Sequence, residues 1–564
     1  MTHEPPSPRR FPISLAKGLR LALLGVGIGL AALAVAVGPG WFRELPRATQ
    51  RDLVEGLLRA LICGYSALVA AALGVPVLAW RLKRRWRSRS PRLERAFLAS
   101  LACLVALAGL EIGSTAWRAW MHRLPTLPRF SVDSTEVYRI VVLGGSSALG
   151  EPYRPWVSVG QIVADRIQAA LPGRVVECEI LAWLGEDLEQ QHQRLARITH
   201  RPDMVIVYSG HNEFAARFEE ERVAWLDLGS GSRVFRVLNR ALLVSPFCRL
   251  VHEIVSKNRL DLPPLAGRHR LIDPPQASES ETAEILADFR RRLEAITAYC
   301  ETIQAIPVLI IPPANETDYE PSRSTLPASV GLDERRRLVL DFERARALES
   351  DQPQQAEELY TAIVARHGEF AEAHFRLGRL LETSGRSSQA APHFLAALDH
   401  DGLPIRCPAP FRAAYQEVAS RHPRAILVDG RAALSSVSST GLIGDEVIQD
   451  THHPTLRGMV ALARAVLHAL KGRGLVAPNL DDHLSVPVIA ARFGLTSDRW
   501  TTVCERTAVH YRRVAGYRHD GAERMAKAAR YTEAVTALRQ GATPEELRLP
   551  GVGVSENELN PSAP

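Results

Sequence analysis

Two short stretches far apart in the chain carry the residue types of nucleophilic chemistry. Gly144-Gly145-Ser146-Ser147-Ala148-Leu149-Gly150 puts a serine in a glycine-rich turn, where the backbone can bend sharply and leave the Ser146 hydroxyl and N–H uncrowded. Asp450-Thr451-His452-His453-Pro454 sets a carboxylate three residues before a histidine. A serine attacks a carbonyl when a base takes its proton, and an imidazole is that base when a carboxylate holds its tautomer. Two further turns supply donors for the resulting oxyanion: Leu184-Gly185-Glu186-Asp187 offers a glycine N–H, and Ser209-Gly210-His211-Asn212-Glu213 offers a side-chain amide. Ser146 is therefore the candidate nucleophile, His453 the base, Asp450 its orienting partner, and Gly185 and Asn212 the oxyanion donors. Ser147 is the alternative nucleophile and His452 the alternative base, while a helix cap is the plainer reading of Asn212. The first turn lacks the GKS or GKT ending of a phosphate-binding loop, and no histidine–carboxylate cluster has convincing ligand spacing. Neither a cofactor nor a metal is expected.

Positioning these groups is the task of a regular alternation of strands and helices. Residues 139–143 (RIVVL), 175–181, 204–208 (MVIVY), 307–311 (PVLII) and 425–428 (AILV) read as short apolar strands. Residues 157–171, 187–198, 279–303 and 455–470 have helical apolar spacing. Buried strands separated by helices predict a parallel five-stranded sheet covered on both faces, with chemistry beyond the strands' carboxyl ends. Each candidate site residue lies beyond such an end or just before the last helix.

These residues in this order resemble the SGNH (GDSL-type) hydrolases. The four blocks of that family fall on Gly144-Gly145-Ser146, Gly185, Gly210-His211-Asn212 and Asp450-Thr451-His452-His453, over about 139–472 once an insertion is removed. The resemblance implies a flavodoxin-like three-layer α/β domain. It also implies Ser146 as nucleophile, an oxyanion hole from the Ser146 N–H, Gly185 and Asn212, and His453 and Asp450 as base and partner. The departure is Gly145, where the family usually has Asp. The G-x-S-x-G elbow of the α/β-hydrolases is absent.

The insertion lies between the fourth and fifth strands. Leu377-Gly378, Leu381, Gly385, Ala390, Phe394 and Ala397 have the spacing of a tetratricopeptide repeat, and Ala356 and Tyr360 stand 34 residues before Ala390 and Phe394. The second unit, about 371–404, resembles the repeat well. The first, about 337–370, carries Arg344 where the repeat wants a small residue. Two units do not bury a solenoid core unaided, so the pair is expected to lean on the catalytic domain or to hold a protein partner.

The charge is segregated. The whole chain of 564 residues carries +7, but residues 1–95 hold 16 Lys/Arg against 5 Asp/Glu, an excess of 11 that leaves 96–564 at −4. A nucleic-acid-binding domain would keep its basic residues on its own surface, so nucleic acid is not an expected partner. Residues 21–39 and 60–80 contain no charge and 96–117 only Glu111. Each is long enough to span a bilayer as a helix. The loop between the second and third runs is rich in arginine and lysine, which predicts that it is cytoplasmic and that everything after about residue 118 is not. Glu111 reads as a carboxylate snorkelling to the outer interface. Seven cysteines show no close pairs, which disfavours a zinc ribbon and leaves a disulfide among Cys248, Cys300 and Cys407 open.

The expected organisation is a three-helix membrane anchor over 1–117, a tether over 118–138, the hydrolase domain over 139–336 and 405–472, the helical insertion over 337–404, and a helical extension with a mobile tail over 473–564. Residues 233–256, apolar-rich, read as a covering helix, with a cap over the site or a membrane-surface segment as alternatives. The extension shows no chemistry; His510, Tyr511 and His519 read as surface or packing residues. The expected function is that of a membrane-anchored, extracytoplasmic serine esterase acting on an acylated glycan or lipid. The alternatives are an O-acyltransferase acting on a surface polysaccharide and a catalytically idle envelope scaffold.

Overall fold

The computed structural model describes residues 136–215, 269–475 and 484–554, together with 123–130 and a few positions at 65, 105–120 and 245–250. Residues 1–123 and 218–263 form one unit, and 124–217 and 264–564 another.

The larger unit is built on five parallel strands: β1 (Val137–Gly144), β2 (Val175–Ala182), β3 (Met204–Tyr208), β4 (Ile306–Ile311) and β5 (Ile426–Asp429), in the order β2-β1-β3-β4-β5. This is the predicted sheet, with strand ends shifted by one or two residues. The β-branched runs of β1 and β3 are buried on both faces, which is why they read as continuous rather than alternating. Helices Val159–Ala170 and Leu456–Gly472 pack together on one face, and Leu188–Leu195, Glu279–Thr302 and Ala409–Arg421 on the other. Gly160 lets the first of these cross β1 closely, because a Cβ there would lie 2.4 Å from a Val142 methyl. Caps fix where the helices start. Asp187 and Gln190 form a capping box at one, Ser278 and Glu281 at another, and Thr455 accepts from the Gly458 N–H at the last.

Four consecutive helices, Leu332–Leu348, Pro353–Arg366, Ala371–Thr383 and Ser387–Asp399, fill the insertion, each packed on the next around Phe342, Tyr360, Phe370 and Phe394. Gly378 seats the Phe394 ring, whose atoms would lie 3.0 Å from a Cβ at that position. Arg344 is exposed, and the small buried residue of the first helix is Ala345 instead. The insertion is tied to the C-terminal extension through buried ions. Arg518 pairs bidentately with Glu372 at 3.0 and 3.1 Å and lies 3.4 Å from Glu320. Burial alone would raise the Glu372 carboxyl, but Arg518 and Arg376 overcome it and hold it at about 2.

The extension itself is part of the core. Helices Ser497–Ala515 and Ala522–Arg539 pack on each other, and Trp500, Val503, Tyr511 and Tyr531 join the same apolar cluster as β1 and the Val159–Ala170 helix. The chain beyond Leu549, expected to be mobile, is packed at least to Val554: Val552 is buried, and Gly551 O accepts from the Tyr153 hydroxyl at 2.9 Å. Residues 555–564 lie outside the described residues.

Cys300 and Cys407 are buried free thiols, so they are not paired with each other; Cys248 lies outside the described residues. The apolar run 21–39 also lies outside them, as does 60–80 apart from Tyr65. Among the described residues no helix is long and apolar enough to cross a membrane. Residues 107–117 are helical in the part of the third run that is described. Glu111 does not reach out alone. Its carboxylate accepts from Ser245 Oγ at 2.6 Å, from the Phe247 N–H at 3.2 Å and from the Tyr65 hydroxyl. A charged group in an apolar stretch is retained when donors satisfy it, and these donors do so within the smaller unit. Of the described residues in 233–256, Ser245 and Phe247 thus bond Glu111 within the smaller unit.

Candidate active site

The register of the sheet brings the three turns to one edge. Gly144 lies opposite both Ala182 and Tyr208, so Ser146, Gly185 and Asn212 follow the same line across β2, β1 and β3 by two, three and four residues. Gly144 itself has no room for a side chain: a Cβ would meet the Ala148 Cβ at 2.2 Å and Tyr208 O at 2.4 Å. That closeness lets β1 end in a tight turn and start the short helix Ser146–Leu149 at once. The helix's own bonds begin with the Leu149 N–H to Gly145 O, so the Ser146 N–H is not consumed within it.

Ser146 Oγ lies 2.7 Å from His453 Nε2, and His453 Nδ1 lies 2.8 Å from Asp450 Oδ2. All three side chains are buried. The second carboxylate oxygen, Oδ1, accepts the backbone N–H groups of His452 and His453, each at 3.2 Å. Burial works against the Asp450 charge, but the surrounding imidazoles, His453 foremost, hold its carboxyl well below the usual range. With Asp450 ionised, the proton on His453 sits on Nδ1, and Nε2 is left to accept from the serine.

The two alternatives are otherwise engaged. The Ser147 hydroxyl donates to His452 O at 2.9 Å. His452 bonds the Thr451 hydroxyl through Nδ1 at 2.8 Å and stacks on His211, with ring centroids 4.4 Å apart. Burial holds His452 well below its ordinary value and brings His211 to about 3. Both rings are therefore neutral, and among the described residues neither ring nitrogen bonds a serine hydroxyl. His211 Nδ1 accepts from the Cys407 N–H at 3.1 Å, which fixes that ring behind the site.

On the donor side, the Asn212 amide gives one N–H to Glu186 O at 3.1 Å and keeps the other. Glu186 is held in turn by a bidentate ion pair with Arg194. Gly185 has φ +71°, the left-handed conformation that favours glycine, and its N–H donates to no group among the described residues. Gly145 is explained by Asn212: a Cβ at residue 145 would lie 2.3 Å from Asn212 Nδ2. A side chain of any size there would displace the amide.

One histidine that the sequence presents as a surface or packing residue, His510, lies against the pair. His510, from the extension helix Ser497–Ala515, stands edge-on to His453 with ring centroids 5.2 Å apart. Its Nε2 is 3.2 Å from Thr451 Oγ1 and 3.9 Å from Asp450 Oδ1. Burial brings it to about 3, so it too is neutral. The one hint in the sequence is its helical spacing from Val503, Thr507 and Val514, which are buried, although His510 itself is only partly so. Asp450, His453 and His510 present donor atoms within 4.8 Å of one another, the spacing of a cation site. Those of Asp450 and His453 are already joined to each other and to the nucleophile, so the cluster reads as a hydrogen-bonded relay.

No protein-family model matches the chain, and no curated protein matches it in sequence. Among solved structures, a variant of an acetyl xylan esterase from Geobacillus stearothermophilus aligns over 60% of this chain and 97% of its own, with 12% identity and a TM-score of 0.28. A superposition that loose leaves the chemistry to be read from this chain's own side chains.

Proposed function

We propose that the protein is a membrane-anchored serine esterase or deacylase of the SGNH type, cleaving an O-acyl bond on an extracytoplasmic glycan or lipid. The observation that carries this reading is the unbroken chain Asp450–His453–Ser146 at 2.8 and 2.7 Å. Ser146 Oγ attacks the ester carbonyl as His453 Nε2 takes its proton. The negative oxygen is assigned to the N–H groups of Ser146 and Gly185 and the second N–H of Asn212. His453 returns the proton to the departing alkoxide, leaving an acyl-Ser146 ester. Water, activated by the same imidazole, then releases the acid and regenerates the hydroxyl. Asp450 keeps its charge throughout and stabilises the transient imidazolium.

A glycan or glycolipid substrate is supported by Trp183, a half-exposed ring on the β2 turn two residues before Gly185. Arg194 lies 5.8 Å from its centroid and pairs with Glu186, which stiffens the turn and presents a flat apolar face beside the donors. The membrane anchor is supported by the three long apolar runs in the sequence and the arginine-rich loop between the second and third. The test is turnover of short acyl esters and of O-acetylated oligosaccharides by the full chain in detergent. Hydrolysis that Ser146→Ala abolishes, with melting temperature unchanged, is the expected result. Full activity in that variant would remove the assignment.

A further inference from the structure

We propose that His510 is a positioning residue for the Asp450–His453 pair, acting through the Thr451 hydroxyl, so that the C-terminal extension completes the active site. The proposal rests on the reading of Ser146, His453 and Asp450 as the reacting groups. It is carried by the hydrogen-bond arithmetic of one hydroxyl.

Thr451 Oγ1 has three neighbours: Asp450 Oδ1 at 3.3 Å, His452 Nδ1 at 2.8 Å and His510 Nε2 at 3.2 Å. A hydroxyl has one proton to give and two lone pairs to fill. An ionised carboxylate only accepts, so the Thr451 proton goes to Asp450, and both imidazoles donate into the lone pairs. This assigns His452 its proton on Nδ1 and His510 its proton on Nε2. With the backbone N–H groups of His452 and His453, Oδ1 then accepts three bonds, which leaves Oδ2 to His453 alone.

His510 thereby decides which way the hydroxyl points. Without its N–H, one lone pair of Thr451 is empty in a buried site, and the hydroxyl is free to turn from Asp450. The carboxylate would lose a donor and its fixed plane, and with it the aim of His453 Nε2 at Ser146. The extension also grips the loop just ahead of this contact. The Tyr531 hydroxyl accepts from Gln449 Nε2 at 2.8 Å, and Lys527 pairs with Asp445 at 2.7 Å. A segment that looked appended to the hydrolase is thus a wall of its site.

The test uses the full chain with 4-nitrophenyl acetate as substrate and a fluorophosphonate as label. His510→Phe, which keeps a ring and removes the donor, should lower kcat about 10- to 100-fold with KM little changed, the usual effect of a misaimed catalytic group. His510→Gln, whose amide N–H stands in for Nε2–H, should recover most of that loss. Thr451→Val should cost as much as His510→Phe, and the double variant no more than either. Parent kcat in His510→Phe, a Gln variant as slow as the Phe one, or additive losses would each overturn the proposal. Near-UV circular dichroism checks that each variant is folded; should His510→Phe not fold, Thr451→Val against Thr451→Ser carries the test. A parent protein that neither turns over nor labels strikes the esterase reading alone. The positioning role is then read from the low-field Nδ1 proton of His453 by NMR, expected in the parent and broadened by exchange in His510→Phe.

Discussion

Gly145→Ala is the sharpest perturbation of the oxyanion side of the site, because it adds one carbon where the geometry says what that carbon meets. The new Cβ would lie 2.3 Å from Asn212 Nδ2 and 3.2 Å from Glu186 O. A carbon and a nitrogen rest at about 3.5 Å, so the amide must retreat by roughly 1 Å. It is the movable partner, since one bond to Glu186 O holds it, whereas the Glu186 carbonyl is part of the backbone and also accepts from Gln191 Nε2 at 3.0 Å. A displacement of ~1 Å takes the free N–H off the oxyanion, and loss of one such donor costs roughly 10²–10³ in kcat. Stability should barely change, because at most one hydrogen bond worth about 1 kcal/mol is lost. The assay is steady-state hydrolysis of a short acyl ester alongside a thermal melt. The expected result is a kcat about 10²-fold down with KM and melting temperature near the parent's. Asn212→Ala should do the same, and combining the two should add little. Parent-like kcat in Gly145→Ala, or strict additivity with Asn212→Ala, would refute the reasoning.

Other perturbations separate the parts of the molecule. Asp450→Asn should lower kcat about 10⁴-fold through the wrong imidazole tautomer while the fold persists, as read by ester hydrolysis and circular dichroism. Glu372, held at about 2 against an ordinary 4.5, contributes stability that is present above about pH 4.5 and lost as pH falls toward 2. Melting temperatures across that window should therefore drop more steeply in the parent than in Glu372→Gln, in which Arg518, Arg376, Glu320 and Glu523 remain. Gly378→Val drives methyl groups into the Phe394 ring and should cost the insertion roughly 1–3 kcal/mol, seen as faster proteolysis within 332–399 with ester hydrolysis unchanged.

The sheet was legible because its strands are buried on both faces. RIVVL and MVIVY admit few other readings once glycine turns bound them, and the helix caps Asp187, Ser278 and Thr455 mark their starts in the sequence. The candidate residues were legible for the same reason: a strand's carboxyl end is a known place, and Ser146, Gly185 and Asn212 each follow one. What could not be read was long-range contact. His510 looks like any histidine on an amphipathic helix until the helix is docked, and no local pattern says that Thr451 lies opposite it. Gly145 looked like a departure from a motif because its reason, the Asn212 amide, stands 67 residues further along the chain. The helix Ala409–Arg421 was missed as well, since its apolar stripe of Phe411, Ala414, Tyr415 and Val418 is short and follows a proline-rich stretch. The repeat spacing puts Arg344 at the small-residue position of the first unit, about 337–370, whereas the small residue that packing buries is its neighbour Ala345.

The central claim is that Ser146, alone among the serines, is activated by His453. Mass spectrometry of the full chain after brief exposure to a fluorophosphonate tests it most directly. A single adduct on the peptide carrying Ser146, retained in Ser147→Ala and lost in His453→Ala, is the result this structure requires. An adduct on another residue, or labelling indifferent to His453, would contradict it.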